Sequence, residues 1–211
     1  MLKLDTDLQI PNRIHKSTTD NKVKQITDKV SGIIFSQTDV NKQPVYDYVN
    51  ECYNFDGGDV IYSTKNINLI NTATFEFWCK LGNTTGLKMV ASGDSDSTPK
   101  WELYFNGKDL NFYSATTGVI GISLNAYDLT TNFFHISAIF NGTYFYVFFN
   151  GVYVSNINGA LTFDNTGLLQ IGGLVRTGTA YFTGGIKSMF IYDTVQHGLG
   201  AQYNFTPEQP F

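Results

Sequence analysis

Between Asn132 and Ile157 the chain reads NFFHISAIFNGTYFYVFFNGVYVSNI, and this stretch limits the fold more than any other. Three runs of β-branched and aromatic residues, FFHISAIF, TYFYVFF and VYVSNI, are separated by Asn141-Gly142 and Asn150-Gly151. A type I′ turn needs positive φ at both central residues, and Asn-Gly supplies it at the least steric cost. The stretch therefore predicts a meander of three antiparallel strands. A further Asn-Gly, at 106–107, joins WELYF to KDLNFYSA as another hairpin.

The expected register assigns each side chain to a face. With Asn141 and Gly142 as the loop, Phe140 faces Thr143, Ala138 faces Phe145, Ile136 faces Val147 and Phe134 faces Phe149, and this is the core face. The other face carries Ile139 with Tyr144, Ser137 with Tyr146 and His135 with Phe148; the second turn adds Tyr153 opposite Phe148 and Ser155 opposite Tyr146. A solvated face would carry more charge and Thr. An aromatic face with polar handles is instead expected to be covered by another part of the chain, a neighbouring subunit or a ligand. Sugar recognition, with rings stacking on pyranose faces and polar groups orienting them, makes Tyr144, Tyr146, Tyr153, His135 and Ser137 the candidate ligand-binding residues.

The rest of the chain repeats the same grammar. VKQITDKV, GIIFSQT, VYDYV, CYNF, VIYS, FEFWCKL, LKMVAS, GVIGISL, LLQIGG and GIKSMFIYD read as short strands, with GDSDSTP as a polar loop. No stretch of twelve or more residues keeps a capped 3.6-residue period, so almost no helix is expected. Many short strands between turn signals predict an all-β sandwich of two antiparallel sheets over residues 22–193. Residues 1–21 and 194–211 hold no sustained period and are read as N- and C-terminal arms, able to dock on other protein subunits and leaving room for a homo-oligomer.

Composition narrows the partners. Charged residues make up 15% of the chain, against the roughly 25% usual in soluble domains, which suits a surface facing neutral polymers or held in an assembly. The formal net charge is −4 and Arg occurs only at Arg13 and Arg176, so nucleic acid is not expected as a partner. No run approaches the roughly 18 apolar residues of a membrane span, and the first residues lack the apolar core of a secretory leader, so cytoplasmic synthesis without membrane insertion is expected. Cys52 and Cys79 then read as free buried thiols, and the glycosylation patterns at Asn83, Asn141 and Asn204 as coincidences of an Asn/Thr-rich chain.

FDGGD (55–59), TFEFWCK (74–80), FFHISAIFNG (133–142), YVFFNGVYVSN (146–156), LLQIGG (168–173) and YFTGGIKSMFIYD (181–193) follow one another in an order and spacing that resembles the laminin-G-like branch of the concanavalin A-like lectin/glucanase superfamily. The resemblance covers about residues 23–193. It implies a jelly-roll sandwich used mostly as a non-catalytic module for glycans or proteins. Phe133 stands where the family usually has Trp, Phe134 where it has a first His, and Asn150 where the turn often has Asp; His135 matches the second His. These positions are largely structural in the family and carry no activity across.

Glucanases of the superfamily place paired carboxylates on one strand face in an E-x-D-x-E run. Of the four Glu residues here, Glu51, Glu76, Glu102 and Glu208, none begins that pattern, so no catalytic residues are expected. The resemblance also implies a calcium ion at the sandwich rim. Asp94 and Asp96, in Gly93–Ser97, offer the carboxylates and hydroxyls that hard-oxygen ligation needs, and Asp56 with Asp59 offers a second candidate; the plainer reading is that these residues form turns. No other cofactor is expected. Together these features predict a lectin-like recognition or adhesion module for glycans or cell-surface polymer, carried on a larger assembly such as a bacteriophage virion surface. A purely structural subunit without ligand and a glycan hydrolase are the alternatives.

Overall fold

In Phe134–Phe140, the strand labelled β13, all seven residues are buried, which requires cover on both faces. Its neighbours supply the lateral pairing. In a computed structural model that describes residues 3–6, 14–16, 21–27, 33–66, 69, 71–95, 98–115, 117–159, 163, 167–174, 180–192 and 195, β13 lies between Tyr144–Phe149 (β14) and Ala73–Leu81 (β8). Val152–Asn158 (β15) closes one edge. On the other side of β8 follow Thr183–Tyr192 (β19), Cys52–Asp56 (β6) and Val45–Asp47 (β5), and Lys3–Thr6 (β1) pairs with the end of β19.

The second sheet runs from Gly118–Ser123 (β12) through Asp109–Ser114 (β11), Thr98–Asn106 (β10), Leu87–Ser95 (β9), Leu168–Ile171 (β16), Ile61–Asn66 (β7), Ile34–Ser36 (β4) and Val23–Thr27 (β3) to Ile14–Lys16 (β2). A ribbon of Gly173–Leu174 (β17) and Ala180–Tyr181 (β18) follows β16. The chain passes repeatedly between sheets, and all pairings are antiparallel, as the jelly-roll expectation requires. Among the described residues the one helical piece is a 3-10 turn, Val40–Lys42. Two segments of the 1–21 arm are thus paired with the sandwich's own sheets, and the 194–211 arm lies outside the described residues apart from residue 195.

The core face has the membership that strand alternation predicts. Phe134, Ile136, Ala138, Phe140, Phe145, Val147 and Phe149 are all buried. They meet Phe75 and Phe77 of β8 and, across the sandwich, Trp101, Phe105 and Phe112 of the second sheet. Phe163 enters this ring cluster from a connecting segment, 5.4 Å from Phe112 and 5.5 Å from Phe140 between centroids.

The register within the meander differs from the expected one. Phe140 pairs with Phe145, Ala138 with Val147 and Ile136 with Phe149, a shift of two residues. The loop residues are Gly142 and Thr143, with Gly142 at φ +90° in the first loop position, which a type II′ turn reserves for glycine. Asn141 closes the turn instead of forming it: its Oδ1 accepts from the amides of Thr143 (3.0 Å) and Tyr144 (2.8 Å). The shift stacks the rings of Phe140 and Phe145 at 4.7 Å, a pairing worth about 0.5–1.5 kcal/mol beyond area burial, where the expected register set Phe140 against Thr143. Asn106-Gly107 behaves alike, with Asn106 paired to Asp109 around Gly107-Lys108.

The second corner follows the I′ expectation. Asn150 and Gly151 have φ of +48° and +77°, and Phe149 pairs with Val152. A bulge between Val147 and Phe148 then moves Ser155 from its expected partner, Tyr146, to Val147, while Tyr153 keeps Phe148. The GDSDSTP segment is less of a loop than expected, because β9 runs to Ser95 and β10 starts at Thr98. Cys52 and Cys79 are free and buried.

Candidate functional site

The outer face of the first sheet collects the predicted residues and several more. Strand alternation on β13 turns His135, Ser137 and Ile139 away from the core, and β14 turns Tyr144, Tyr146 and Phe148 the same way. The pairings are Ile139 with Tyr146 and Ser137 with Phe148, two residues from the expected ones; an even shift leaves every side chain on its expected face. His135 lies beside the second turn, its amide donating to Asn150 Oδ1 at 2.8 Å while Asn150 N donates to the His135 carbonyl at 2.9 Å.

Continuing the register across β8 and β19 gives two transverse rows. One runs Tyr153, Phe148, Ser137, Glu76, Phe190, and the other Asn156, Tyr146, Ile139, Thr74, Tyr192. In both rows the middle positions are buried and the flanking rings are half-buried or exposed. The result is a floor of Thr74, Glu76, Ser137 and Ile139 between two lines of rings. From β14 to β19 are three strand spacings, about 14 Å at about 4.8 Å each. Tyr144 and Tyr146 lie 5.8 Å apart between centroids, Phe148 and Tyr153 5.6 Å, and Tyr153 is the most open of these four rings at 51% exposure.

His135 and Ser137 are therefore beneath the face instead of on it. Ser137 Oγ donates to Glu76 Oε1 at 3.1 Å, and His135 packs its ring 5.4 Å from that of Trp78. Burial holds the Glu76 carboxyl above its usual range, the Ser137 hydrogen bond partly opposing this. Burial also pushes His135 down to about 4, so its imidazole is neutral at pH 7. The floor carries little charge. At one end of the face Lys187 and Lys80 set their ammonium groups 4.5 Å and 5.4 Å from the Phe133 ring centre.

Glu76, Trp78, Phe190 and Tyr192 were not among the sequence-predicted site residues. The signal for the first two was present, since alternation in FEFWCKL puts Glu76 and Trp78 opposite the core residues Phe75, Phe77 and Cys79. What was lacking was the pairing of β8 with β13. Glycoside hydrolysis by paired carboxylates needs a second group about 5–9.5 Å from the first. No second carboxylate joins Glu76 on this face among the described side chains.

Of the calcium candidates, Asp56 and Asp59 are engaged by their own turn. Asp59 Oδ2 accepts from the Asp56 amide and Asp56 Oδ1 from the Gly58 amide, each at 2.8 Å, so both carboxylates serve the turn. The Asp59 carboxyl is pushed up to about 6, chiefly by burial. Asp94 is a strand residue, its backbone paired with Pro99 and Leu168, and Asp96 lies outside the described residues. Among the described residues no three His, Cys, Asp or Glu side chains converge to hold a metal.

Known proteins resemble this architecture. Domain 4 of the extracellular GH43 arabinanase AbnA from Geobacillus stearothermophilus, solved with arabinotriose, superposes with a TM-score of 0.56 at 14% identity, covering 92% of this chain and 91% of that one. The CBM40 module of the Ruminococcus gnavus IT-sialidase bound to α2,6-sialyllactose gives 0.52 at 15% identity over 69% of this chain and 91% of that one. The binding domain of botulinum neurotoxin serotype G gives 0.60 at 10% identity, over 82% of this chain and 46% of that one. No curated protein matches. At these identities the likeness is one of fold. The family described as the concanavalin A-like lectin/glucanases superfamily, in its laminin-G form, matches residues 55–197, and with two thirds of its length inside that match this chain belongs to it.

Proposed function

We propose that the domain is a non-catalytic glycan-recognition module that receives sugar on the outer face of the first sheet. The observation that carries this reading is the pair of ring rows, Tyr146, Phe148 and Tyr153 on one side and Phe190 and Tyr192 on the other, around a weakly charged floor. Apolar ring faces cover the C–H faces of a pyranose, and a few fixed polar groups orient it. Tyr144, Tyr146 and Tyr153 make the contact; His135 and Ser137 hold the floor on which those rings stand. Similarity to modules solved with arabinotriose and sialyllactose supports glycan as the ligand class.

Glycoside cleavage needs a second carboxylate, and among the described side chains none joins Glu76 on this face, which supports a binding role. The low share of charged residues, 15%, supports a module carried on a larger assembly, for which a bacteriophage virion surface is our reading; proteins co-purifying with the native chain would test that placement. A glycan array probed with the parent, Tyr146→Ala and Tyr153→Ala tests the site. Binding by the parent that both variants lose is expected. Binding that both retain removes this face, and release of reducing sugar from a bound glycan overturns the non-catalytic reading.

A further inference from the structure

Charge is unevenly placed along this chain. Of its 14 Lys and Arg and 18 Asp and Glu residues, Asp128 alone lies between Leu110 and Phe163, although that segment is about a quarter of the sequence. It supplies β12, β13, β14, β15 and all but the first residue of β11. Topology gathers it on one side of the sandwich, because β15 ends the first sheet, β12 ends the second, and the two edges lie against each other. The opposite edges differ. β5 carries Asp47 and is tied to residues 21 and 22 by the bond from Tyr46 N to the Asn21 carbonyl and by the Lys22–Val45 bridge, and β2 carries Lys16.

An edge strand presents a row of unpaired N–H and C=O groups, which proteins usually blunt with charge, proline or a very short strand. β15 has seven residues, none charged and none proline. Among the described residues its backbone pairs only with β14, and beyond the one bulge Ser155–Asn158 run in regular register. Where this side is open it is apolar: Val152 is 62% exposed, Tyr153 51% and Val119 of β12 59%. Depletion of charge with exposed aromatic and aliphatic groups is the composition of an interface centre.

The same features select the occupant. A charge-free strand can lie antiparallel to its own copy with no like charges meeting across the axis, so the surface is self-complementary. A two-fold axis perpendicular to the sheet achieves this, continues the eight-stranded sheet into that of the second copy, and leaves both outer faces on one side. Seven residues make β15 about 24 Å long, and two sheets about 10 Å apart with side chains outside each make the wall about 20 Å high. Each copy then contributes roughly 500 Å² and the pair roughly 1,000 Å², the size of a weak, concentration-dependent association.

We propose that the side formed by β15 and β12 is a dimer interface, occupied by a second copy of this chain whose β15 pairs antiparallel with the first. Sedimentation equilibrium of the full chain from micromolar to millimolar concentration tests it, comparing the parent with Asn156→Lys on β15 and with Val45→Lys at the opposite edge, both exposed positions. The parent should pass from monomer to dimer, Asn156→Lys should weaken the dimer at least tenfold by setting like charges close to the axis, and Val45→Lys should match the parent. An equimolar mixture of Asn156→Lys and Asn156→Glu should restore association, because opposite charges then meet. In the parent alone, amide hydrogen exchange on β15 should slow as concentration rises while that on β5 does not change, a readout that needs no variant to fold. A parent that stays monomeric throughout, a dimer that Asn156→Lys leaves intact or that Val45→Lys abolishes equally, or β15 amides indifferent to concentration would overturn the proposal. So would assemblies that grow without limit, since a two-fold contact closes at two copies.

Discussion

His135 is buried at 4% exposure, and its imidazole is held down to about 4 by burial. An unfolded chain protonates histidine near 6.5. Between those values the unfolded state binds a proton that the folded state refuses, so the contribution of His135 is fully present above pH 6.5 and is lost as pH falls through 4. A drop from 6.5 to about 4, at about 1.4 kcal/mol per unit, amounts to roughly 3 kcal/mol. Two carboxyls act in the opposite sense. Asp59, raised from 3.8 to about 6, and Glu76, also raised, both mainly by burial, contribute stability that is present at low pH and lost as pH rises through their folded values. The parent's own pH profile is therefore flattened, and the informative quantity is its difference from His135→Gln. Urea unfolding of both proteins from pH 4 to 8 should show the parent gaining roughly 3 kcal/mol on the variant between pH 4 and 7. A difference that stays flat across this window would refute the buried, neutral imidazole and with it the floor of the proposed site.

Three further outcomes follow from particular contacts. At Gly184, φ is +132° and an added Cβ would run into the backbone carbonyl of Lys80, so Gly184→Ala should lower the urea-derived stability by at least about 2 kcal/mol. A double-mutant cycle on Phe140→Leu and Phe145→Leu should return a coupling of about 0.5–1.5 kcal/mol from the ring stack, whereas additive losses would contradict the observed register. Asn150→Ala removes both a residue tolerant of φ +48° and the acceptor for the His135 amide; a loss of about 1–3 kcal/mol in denaturant unfolding is expected, with Asn150→Gly losing less.

The faces of the meander were readable from sequence because period-two alternation survives an even error. Placing the turn at Asn141-Gly142 instead of Gly142-Thr143 shifts the pairing by two, and every ring stays on its own side. The turn itself was ambiguous, since Asn-Gly serves a I′ corner when both residues enter the loop and a II′ corner when only glycine leads it. The stack of Phe140 on Phe145, together with the Asn141 side chain bonding two amides ahead of it, favours the second at one corner. At Asn150, contact with the His135 backbone on the neighbouring strand favours the first. Local patterns cannot report such contacts between strands.

The same limit explains the half of the site that was missed. Tyr146, Tyr153, His135 and Ser137 sit within one meander, where local turns determine the neighbours. Glu76 reaches Ser137 across 61 positions of sequence, and Phe190 reaches Glu76 from near the other end of the chain. Depth was equally hidden: alternation placed Ser137 on the outer face, but only the flanking strands reveal that it is fully buried there. The short strands β1 and β2 show no period of their own and are recognisable only through β19 and β3, with which they pair.

The most direct test of glycan recognition by the first sheet is an amide chemical-shift titration of the intact protein with an oligosaccharide found on the array. Shifts are expected to concentrate on β13, β14 and β15 around Ser137, Tyr146, Phe148 and Tyr153, with matching changes at Glu76 and Phe190. Shifts confined to the Asp56–Asp59 turn and the rim, with those strands silent, would contradict it.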